Sequence, residues 1–374
     1  MNHTKHSDQK YNSLLRPALQ DIPPNPRGRI LIAGPCSAES REQVLDSASG
    51  IAALGPGIIF RAGAWKPRTS PGCFEGVGAE ALKWIAEAGH LTGMPVATEV
   101  ASPDHVELAC KAGIDIFWIG ARTAANPFAV QALAETIGRV CPDKTVLVKN
   151  PVNPDPELWI GALARLLSQG VTHLGAIHRG FSVYRSQPFR NSPIWQIPME
   201  MHRRLPDLPI LHDPSHTGGK REHIATLSQQ ALDIGFSGLM IECHTEPEKA
   251  LSDGGQQITP LVLKELWNSL KIRNASIPDS ELNELRWRID ELDGELLDIL
   301  CRRMAVSREI GAYKLEHDMP VMQPDRYNRL LTALLKRGCQ MGLDENFLTD
   351  LLERIHAESV HCQLDIMGHQ ATEF

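Results

Sequence analysis

Short apolar runs alternate with longer stretches in which apolar residues recur three and four positions apart, from residue 29 to about residue 271. The runs ILIAGPCS, IIFRAGA, PVATEV, IFWIG, TVLVKN, HLGAIHR, PILHDPSH and GLMIECH read as strands. The intervening segments REQVLDSASGIAAL, GAEALKWIAEAGHL, PDHVELACKAG and NPFAVQALAETIGRV read as amphipathic helices. Strands alternating with helices imply right-handed βαβ units and a parallel sheet covered on both faces, which suits strands that are apolar almost throughout. About eight such units in roughly 240 residues fit a closed (β/α)8 TIM barrel better than an open doubly wound sheet. No GxGxxG follows the first strand, which argues against a dinucleotide fold.

The rhythm changes after LVLKELWNSLKIRNASIP. From Ser280 there is no strand pattern: Leu282, Leu285, Ile289, Leu292, Leu296, Ile299 and Ile310 mark one face of a helix running to about Glu316. Pro320 and Pro324 break it, a second helix spans Asp325 to Lys336 with Gly338 closing it, and Asp344 caps a third that continues toward His361. The expected fold class is therefore α/β, a barrel over residues 29–271 followed by a smaller all-α three-helix domain over 281–374. Residues 272–280 form a linker, and residues 1–28, polar and then proline-rich, form an extended arm with no core of its own.

Composition narrows the partners. A net charge of -7 over 374 residues argues against nucleic acid or an anionic membrane as the main partner, yet leaves room for small anions in a local pocket. No apolar run approaches the ~18 residues of a membrane span. Eight cysteines without a CxxC pair and a polar start, MNHTKHSDQKYNS, point to reduced thiols in the cytoplasm.

Beyond the carboxyl ends of the strands of such a barrel lies a common site. The residues there are Cys36, Arg61, Glu99, Arg122, Lys149, Arg179, His216 and Glu242. Singly, each cation is as readily a solvated surface group, and Cys36 a small buried hydrophobe. Four cations ending separate strands, with Lys66, Arg68 and Thr69 on the loop RAGAWKPRTSP, form instead a set able to hold two phosphates and a carboxylate. Cys36, His216, Glu242 and Asp253 offer a thiolate, an imidazole and two carboxylates, which suit a borderline divalent ion such as Mn, Fe, Co or Zn better than Mg or Ca.

The motifs GPCS, RAGAWKPRTSP, GART, VKNP, HRG, DPSH followed by GKR, IECH and LSDGGQ occur in the order found in the 3-deoxy-D-arabino-heptulosonate 7-phosphate (DAHP) synthases, which this chain resembles over about residues 29 to 270. The resemblance implies condensation of phosphoenolpyruvate with erythrose 4-phosphate. It implies that Arg122, Lys149 and Arg179, with Arg61 and Lys66 nearby, hold phosphoenolpyruvate, and that Lys66, Arg68 and Thr69 meet erythrose 4-phosphate. Cys36, His216, Glu242 and Asp253 would bind the metal, Mn foremost, and Lys66 is a candidate proton donor to the aldehyde oxygen. The sibling 3-deoxy-octulosonate 8-phosphate synthases typically carry KANRS where this chain has KPRTS, so the four-carbon sugar is expected. A phosphosugar-binding protein without turnover is the reading that would not need the metal donors.

In the helical segment, Arg303 and Lys314 lie eleven residues apart on one helix face, about three turns, so long side chains can meet at one small ligand. Arg286, seventeen residues earlier and roughly 25 Å away, reaches such a site only across a dimer. LRWRIDELDGELLDILCRRMAVSREIGAYK and the later ESVHCQ resemble the all-helical chorismate mutases over about residues 281 to 368. The resemblance implies that a partner's Arg286 acts with Arg303 and Arg326 on the carboxylates of chorismate, while Lys314 and Gln363 address its ether oxygen. Gln323 and Tyr327 stand where the family commonly has acidic residues near the substrate hydroxyl. The whole chain thus reads as a bifunctional shikimate-pathway homodimer with feedback by prephenate or chorismate. The alternative is a helical domain that only senses those ligands.

Overall fold

The computed structural model describes residues 2–17, 19, 25–66, 72, 74–184, 188–273, 280–322 and 324–368. The chain divides into two compact units, Met1–Asn274 and Ala275–Phe374.

Nine parallel strands build the first unit: β1 (Arg16–Pro17), β2 (Ile30–Gly34), β3 (Ile58–Arg61), β4 (Val96–Glu99), β5 (Ile116–Ile119), β6 (Thr145–Lys149), β7 (His173–His178), β8 (Ile210–His212) and β9 (Gly238–Glu242). The order β7-β6-β5-β4-β3-β2-β9-β8 closes through pairing of β7 with β8, so β2–β9 form the expected eight-stranded barrel. Alternate residues point inward: Ile32, Ile59, Ala97, Ile116, Trp118, Leu147, Ile177, Leu211 and Met240 fill the interior. Their neighbours, such as Leu31, Ala33, Ile58 and Phe60, pack outward in the larger core that includes the helices. Both sides of each strand are therefore apolar, which is why the sequence shows continuous rather than alternating runs. The helices start at side-chain caps, among them Ser40, Ser102, Asn126 and Asp155, whose oxygens accept from backbone N–H groups of the first turn.

The expected extended arm is replaced by structure. Asn2–Leu14 is a helix, β1 pairs in parallel with β7 through Arg16 and His173, and Leu15 and Leu19 are buried. The arm is held to the barrel by charge as well as by apolar anchors: Asp8 pairs with Arg204 at 2.7 Å, and Leu19 joins the inner core of the barrel. Low hydropathy concealed this, because the helix is fixed by ion pairs rather than by an apolar stripe.

The second unit has a long helix (Ser280–Glu316), a middle helix (Pro324–Gln340) and a last helix (Glu345–Ile366). Asp344 caps the last helix, accepting from the Phe347 N–H at 2.9 Å, as read from sequence. Two boundaries shift. The middle helix continues through Gly338, where a Cβ would meet Leu348 Cδ1 at 2.3 Å. That glycine therefore allows close helix approach and does not end the helix. The last helix passes His361 and ends at Ile366. Residues 274–279 of the expected linker lie outside the described residues. Among the described residues the cysteines Cys36, Cys110, Cys141, Cys243, Cys301, Cys339 and Cys362 are free, and no helix is long and apolar enough to cross a membrane.

Close approach of strands at the barrel seam requires glycine. At Gly238 of β9, paired with Ile30 of β2, a Cβ would lie 2.0 Å from the Ile30 carbonyl oxygen. Gly238→Ala is expected to cost about 1–3 kcal/mol, seen as a lower urea midpoint with unchanged slope. Gly161→Ala, where nothing lies within 4 Å, serves as the control that leaves stability unchanged or raises it.

Candidate functional site

Barrel closure brings the expected residues to one mouth. Arg61, Glu99, Lys149 and Glu242 are the last residues of β3, β4, β6 and β9, and Arg179 follows β7 directly. Cys36 lies two residues past β2, Arg122 in the single helical turn after β5, and His216 in the short helix Pro214–Gly218 after β8. Asp253 follows β9 in left-handed backbone, φ 49, an unfavourable conformation for a non-glycine residue of the kind that concentrates at functional sites. Arg68, Thr69 and Gln323 lie outside the described residues.

The four metal-donor candidates meet as two contacts. Cys36 Sγ lies 3.3 Å from Asp253 Oδ2, and His216 Nε2 lies 3.7 Å from Glu242 Oε1. Among the described residues no group of three or more such donors stands in coordination geometry. Cations lie against these donors instead: Lys66 Nζ is 3.0 Å from Cys36 Sγ, and Arg61 NH1 is 3.3 Å from Glu242 Oε1. Burial pushes the Cys36 thiol up to about 12, Glu242 and Asp253 adding to the rise and Lys66 and Arg61 opposing it. The donor chemistry nevertheless fits a divalent ion. Asp213 Oδ2 holds His216 Nδ1 at 2.8 Å, leaving Nε2 toward Glu242, and a carboxylate on the far nitrogen is how ligating histidines are commonly oriented.

Asp213, which sequence reading passed over, is the hub of this region. It is fully buried, accepts from Lys149 Nζ at 2.8 Å and from the His216 backbone N–H at 3.0 Å. Burial alone would raise its pKa, but His216 and Lys149 outweigh that and hold the carboxyl well below its ordinary range. The signal was present in DPSH, where an aspartate follows a strand end directly.

Arg179 behaves as a cation that lacks sufficient negative charge. Burial lowers it to about 10, Arg190 and Arg122 repel it, and Asp213 and Asp253 only partly compensate. Its guanidinium donates to Asn191 Oδ1 at 3.0 Å, and its backbone N–H to Asn150 Oδ1 at 2.6 Å. Asn191 is presented by a chain reversal in which Phe181 and Ser192 pair antiparallel. Arg61 is less available than the sequence suggested, since it also stands 4.6 Å over the Trp118 ring and donates to the Cys36 carbonyl. Trp118 in turn donates to Glu99 Oε2 at 3.0 Å. A Cβ at Gly120 would lie 2.2 Å from the other Glu99 oxygen, so the glycine after β5 makes room for that carboxylate.

Beneath Arg179 and Asp213, one residue back along each strand, lies a buried histidine pair. His178 Nε2 donates to the Pro193 carbonyl at 2.7 Å, so its Nδ1 accepts from His212 Nδ1 at 3.0 Å. His212 Nε2 is then a bare acceptor, buried without a partner. Burial lowers both rings, His212 to about 3, so the pair is neutral near pH 7.

In the second unit a cavity of about 640 Å³ is lined by Arg303, Lys314, Arg326, Tyr327, His356 and Gln363, among others. Lys314 Nζ donates to Gln363 Oε1 at 3.0 Å and to the Val321 carbonyl at 2.6 Å, and Arg303 donates to Ser359. Burial, with Arg326 nearby, lowers Lys314. Arg303, Lys314 and Arg326 form no ion pair among the described residues, so the cavity is an anion site by charge. Arg286 is exposed and does not line it, consistent with the distance along the helix. Ser359 and His356 were not singled out from sequence. Their only signal was their spacing, four and seven residues before Gln363 respectively, on the same face of the last helix.

The barrel mouth and this cavity define a phosphate-handling (β/α)8 enzyme joined to a helical domain built for a small anion. The chain belongs to the DAHP synthetase I family, whose model matches residues 25–275, and the chorismate mutase type II model matches residues 285–364. It is 36% identical to the phospho-2-dehydro-3-deoxyheptonate aldolase of Thermotoga maritima, over 64% of this chain and 68% of that one. A 2-dehydro-3-deoxyphosphooctonate aldolase of Methylobacterium radiotolerans is 29% identical over 63% of this chain and 87% of that protein. The solved Thermotoga maritima DAHP synthase superposes with a TM-score of 0.59 at 33% identity, covering 67% of this chain and 70% of that one. A truncated form from the same organism gives 0.57 at 32% identity, covering 67% and 88%. Both catalytic domains of a bifunctional shikimate-pathway enzyme are therefore present, and the higher identity to the heptonate aldolase disfavours the eight-carbon alternative.

The histidine pair gives a pH test. Each ring binds its proton more weakly folded than unfolded, so the unfolded chain gains protons first on acidification. The stabilisation is complete above pH ~6.5 and is lost as pH falls toward the folded value, by up to ~1.4 kcal/mol per pH unit and histidine. Urea midpoints from pH 7 to 4.5 are expected to fall less steeply in His212→Gln than in the unmodified protein.

Proposed function

We propose that the barrel condenses phosphoenolpyruvate with erythrose 4-phosphate and that the helical domain rearranges chorismate to prephenate, with the following residues in the following roles. The observation that supports the first assignment is the convergence of cations at one mouth: Arg61 and Lys149 end separate strands, half-buried Arg179 follows a third, and Arg190 and Arg122 lie near enough to Arg179 to repel it, a crowding that calls for negative charge to balance it. A dense small anion such as phosphoenolpyruvate supplies that balance.

Arg122, Lys149 and Arg179 hold the phosphate and carboxylate of phosphoenolpyruvate, with Arg61 as a buried support, and Lys66, Arg68 and Thr69 meet the sugar phosphate. Carbon 3 of phosphoenolpyruvate attacks the aldehyde carbon of the sugar. Lys66, raised despite its burial by Cys36, Glu242 and Glu99, keeps a proton at neutral pH and can deliver it to the aldehyde oxygen as the carbon–carbon bond forms. Water adds at carbon 2 and the phosphate departs. Cys36, His216, Glu242 and Asp253 would hold a divalent ion, Mn in preference to Fe, Co or Zn. When bound it supplies Lewis-acid polarisation of the aldehyde oxygen. Asp213 orients His216 toward that ion while its charge fixes Lys149.

In the helical domain, Arg303 and Arg326 take the two carboxylates, and Lys314 with Gln363 faces the ether oxygen on which charge builds. No acid, base or cofactor is needed. Confinement of a compact conformer and the facing cation lower the barrier. A partner's Arg286 completes the site, which calls for a homodimer through this domain. The exposure of Leu285, Ile289, Leu292, Leu296 and Ile299 on the long helix supports such a partner. A product held in the helical domain would then feed back on the barrel, with prephenate the preferred effector.

Phosphate release from phosphoenolpyruvate and erythrose 4-phosphate is expected to stop with EDTA and return with Mn, and Cys36→Ala should lower kcat by roughly 100-fold or more. Faster use of arabinose 5-phosphate would overturn the substrate assignment. A fragment of residues 278–374 is expected to consume chorismate. Tight binding without turnover would instead mark a sensor. Prephenate should inhibit the barrel reaction in the intact protein and lose that effect when the chain is cut near residue 272; equal sensitivity excludes feedback through the helical domain.

A further inference from the structure

His356, on the last helix, lies flat against Tyr327 of the middle helix, with ring centroids 3.8 Å apart and planes 20° from parallel. Both rings line the cavity that holds Arg303, Lys314 and Arg326. Stacking fixes the imidazole, yet among the described residues neither of its nitrogens has a hydrogen-bond partner in the protein. A half-buried, oriented polar edge in the lining of an anion cavity is available to the ligand.

The charged and titratable groups sharing the cavity with His356 are Arg303, Glu309, Tyr313 and Lys314 on the long helix and Arg326 and Tyr327 on the middle helix. Its own helix adds only Ser359, Val360 and Gln363. Three cations against one carboxylate leave the surroundings of the ring positive. Burial, then Arg303 and Lys314, lower its proton affinity from the ordinary 6.5, so the empty cavity holds a neutral imidazole. A ligand bearing two carboxylates cancels that field and favours the imidazolium.

We propose that His356 contacts the bound dicarboxylate, and that the Tyr327–His356 stack makes binding of this anion proton-linked, one proton passing from solvent to the imidazole as the dianion enters. This rests on the reading of the cavity as the chorismate and prephenate site and goes beyond it, by giving the pocket a titrating wall. No bond of the ligand is made or broken. In effect the protein adds one more cation only when the ligand is present, so the empty pocket does not bear its repulsion.

The test is calorimetric titration of the full-length protein with prephenate, in buffers of high and low ionisation enthalpy at pH 6.5 and 8.0. This range avoids titration of the ligand's carboxylates. The unmodified protein should take up a fraction of a proton on binding and bind about 3- to 10-fold more tightly at the lower pH. His356→Phe keeps an aromatic ring on Tyr327, and His356→Asn keeps a hydrogen-bonding edge, but neither titrates. Both should lose the proton uptake and the pH slope, and the Asn variant should retain affinity at pH 8.0 within about threefold. If the Phe variant fails to fold, the Asn variant carries the test, and the imidazole resonance of His356 in labelled wild-type protein should titrate higher with prephenate than without. Unchanged proton uptake in a folded variant, or binding by the wild type without uptake, overturns this inference while leaving the pocket assignment intact. Failure of the wild type to bind prephenate at either pH removes the pocket assignment and this inference with it.

Discussion

The buried carboxylate of Asp213 is the interaction that ties the ends of the barrel's strands together electrostatically. Lys149 ends β6 and His216 stands beyond β8, and each would be an expensive buried group without a partner. One aspartate reaches both at 2.8 Å. It pairs the Lys149 ammonium at the end of β6, and it lies against Nδ1 of His216, whose Nε2 stands 3.7 Å from Glu242. Both contacts lie in a low dielectric, where a fixed carboxylate acts far more strongly than it would in water.

The surrounding structure serves that arrangement. Closure through β2–β9 and β7–β8 places residues more than two hundred positions apart in sequence, such as Cys36 and Asp253, in contact at 3.3 Å. Three acids at the mouth are met by cations, Glu242 by Arg61, Asp213 by Lys149 and Asp253 by Arg190, while Glu99 accepts from Trp118. The exception is the neighbourhood of Arg179, where cations outnumber acids. Charges fixed by partners in this way are organised in advance, so little reorganisation is needed when an anion enters. The helical domain reaches the same end with fewer parts. Three cations that form no ion pair among the described residues and a stacked aromatic wall surround one cavity, where Lys314 hydrogen-bonds Gln363 and Arg303 hydrogen-bonds Ser359.

Much of this was legible in the chain. The eight barrel strands and the strand-end set were readable because closed parallel barrels impose continuous apolar strands and send their last residues to one place, and the cap at Asp344 because its side chain is a local signal. The amino-terminal helix was not readable, since Asp8–Arg204 and the buried Leu19 act over long sequence separations that no local pattern records. Gly338 was misread for a related reason. A glycine late in a helical pattern has the same local appearance whether it ends the helix or admits a neighbour, and only Leu348 distinguishes the two cases. Asp213 and His356 escaped notice because their meaning lies in their partners, Lys149 and His216 in one case, Tyr327 in the other.

By itself the sequence determined the class of fold, the division into a barrel and a helical domain, and the kinds of ligand each can take, because periodicity and residue type set backbone class and charge. The tertiary structure decided which charges cancel and which remain available. It committed Arg61 to Glu242 and Trp118, and Lys149 to Asp213, and it left Arg179 in excess of its counter-charges. The physical reason is that electrostatic energy depends on distance and burial, and both are set only when strands and helices remote in the chain come together.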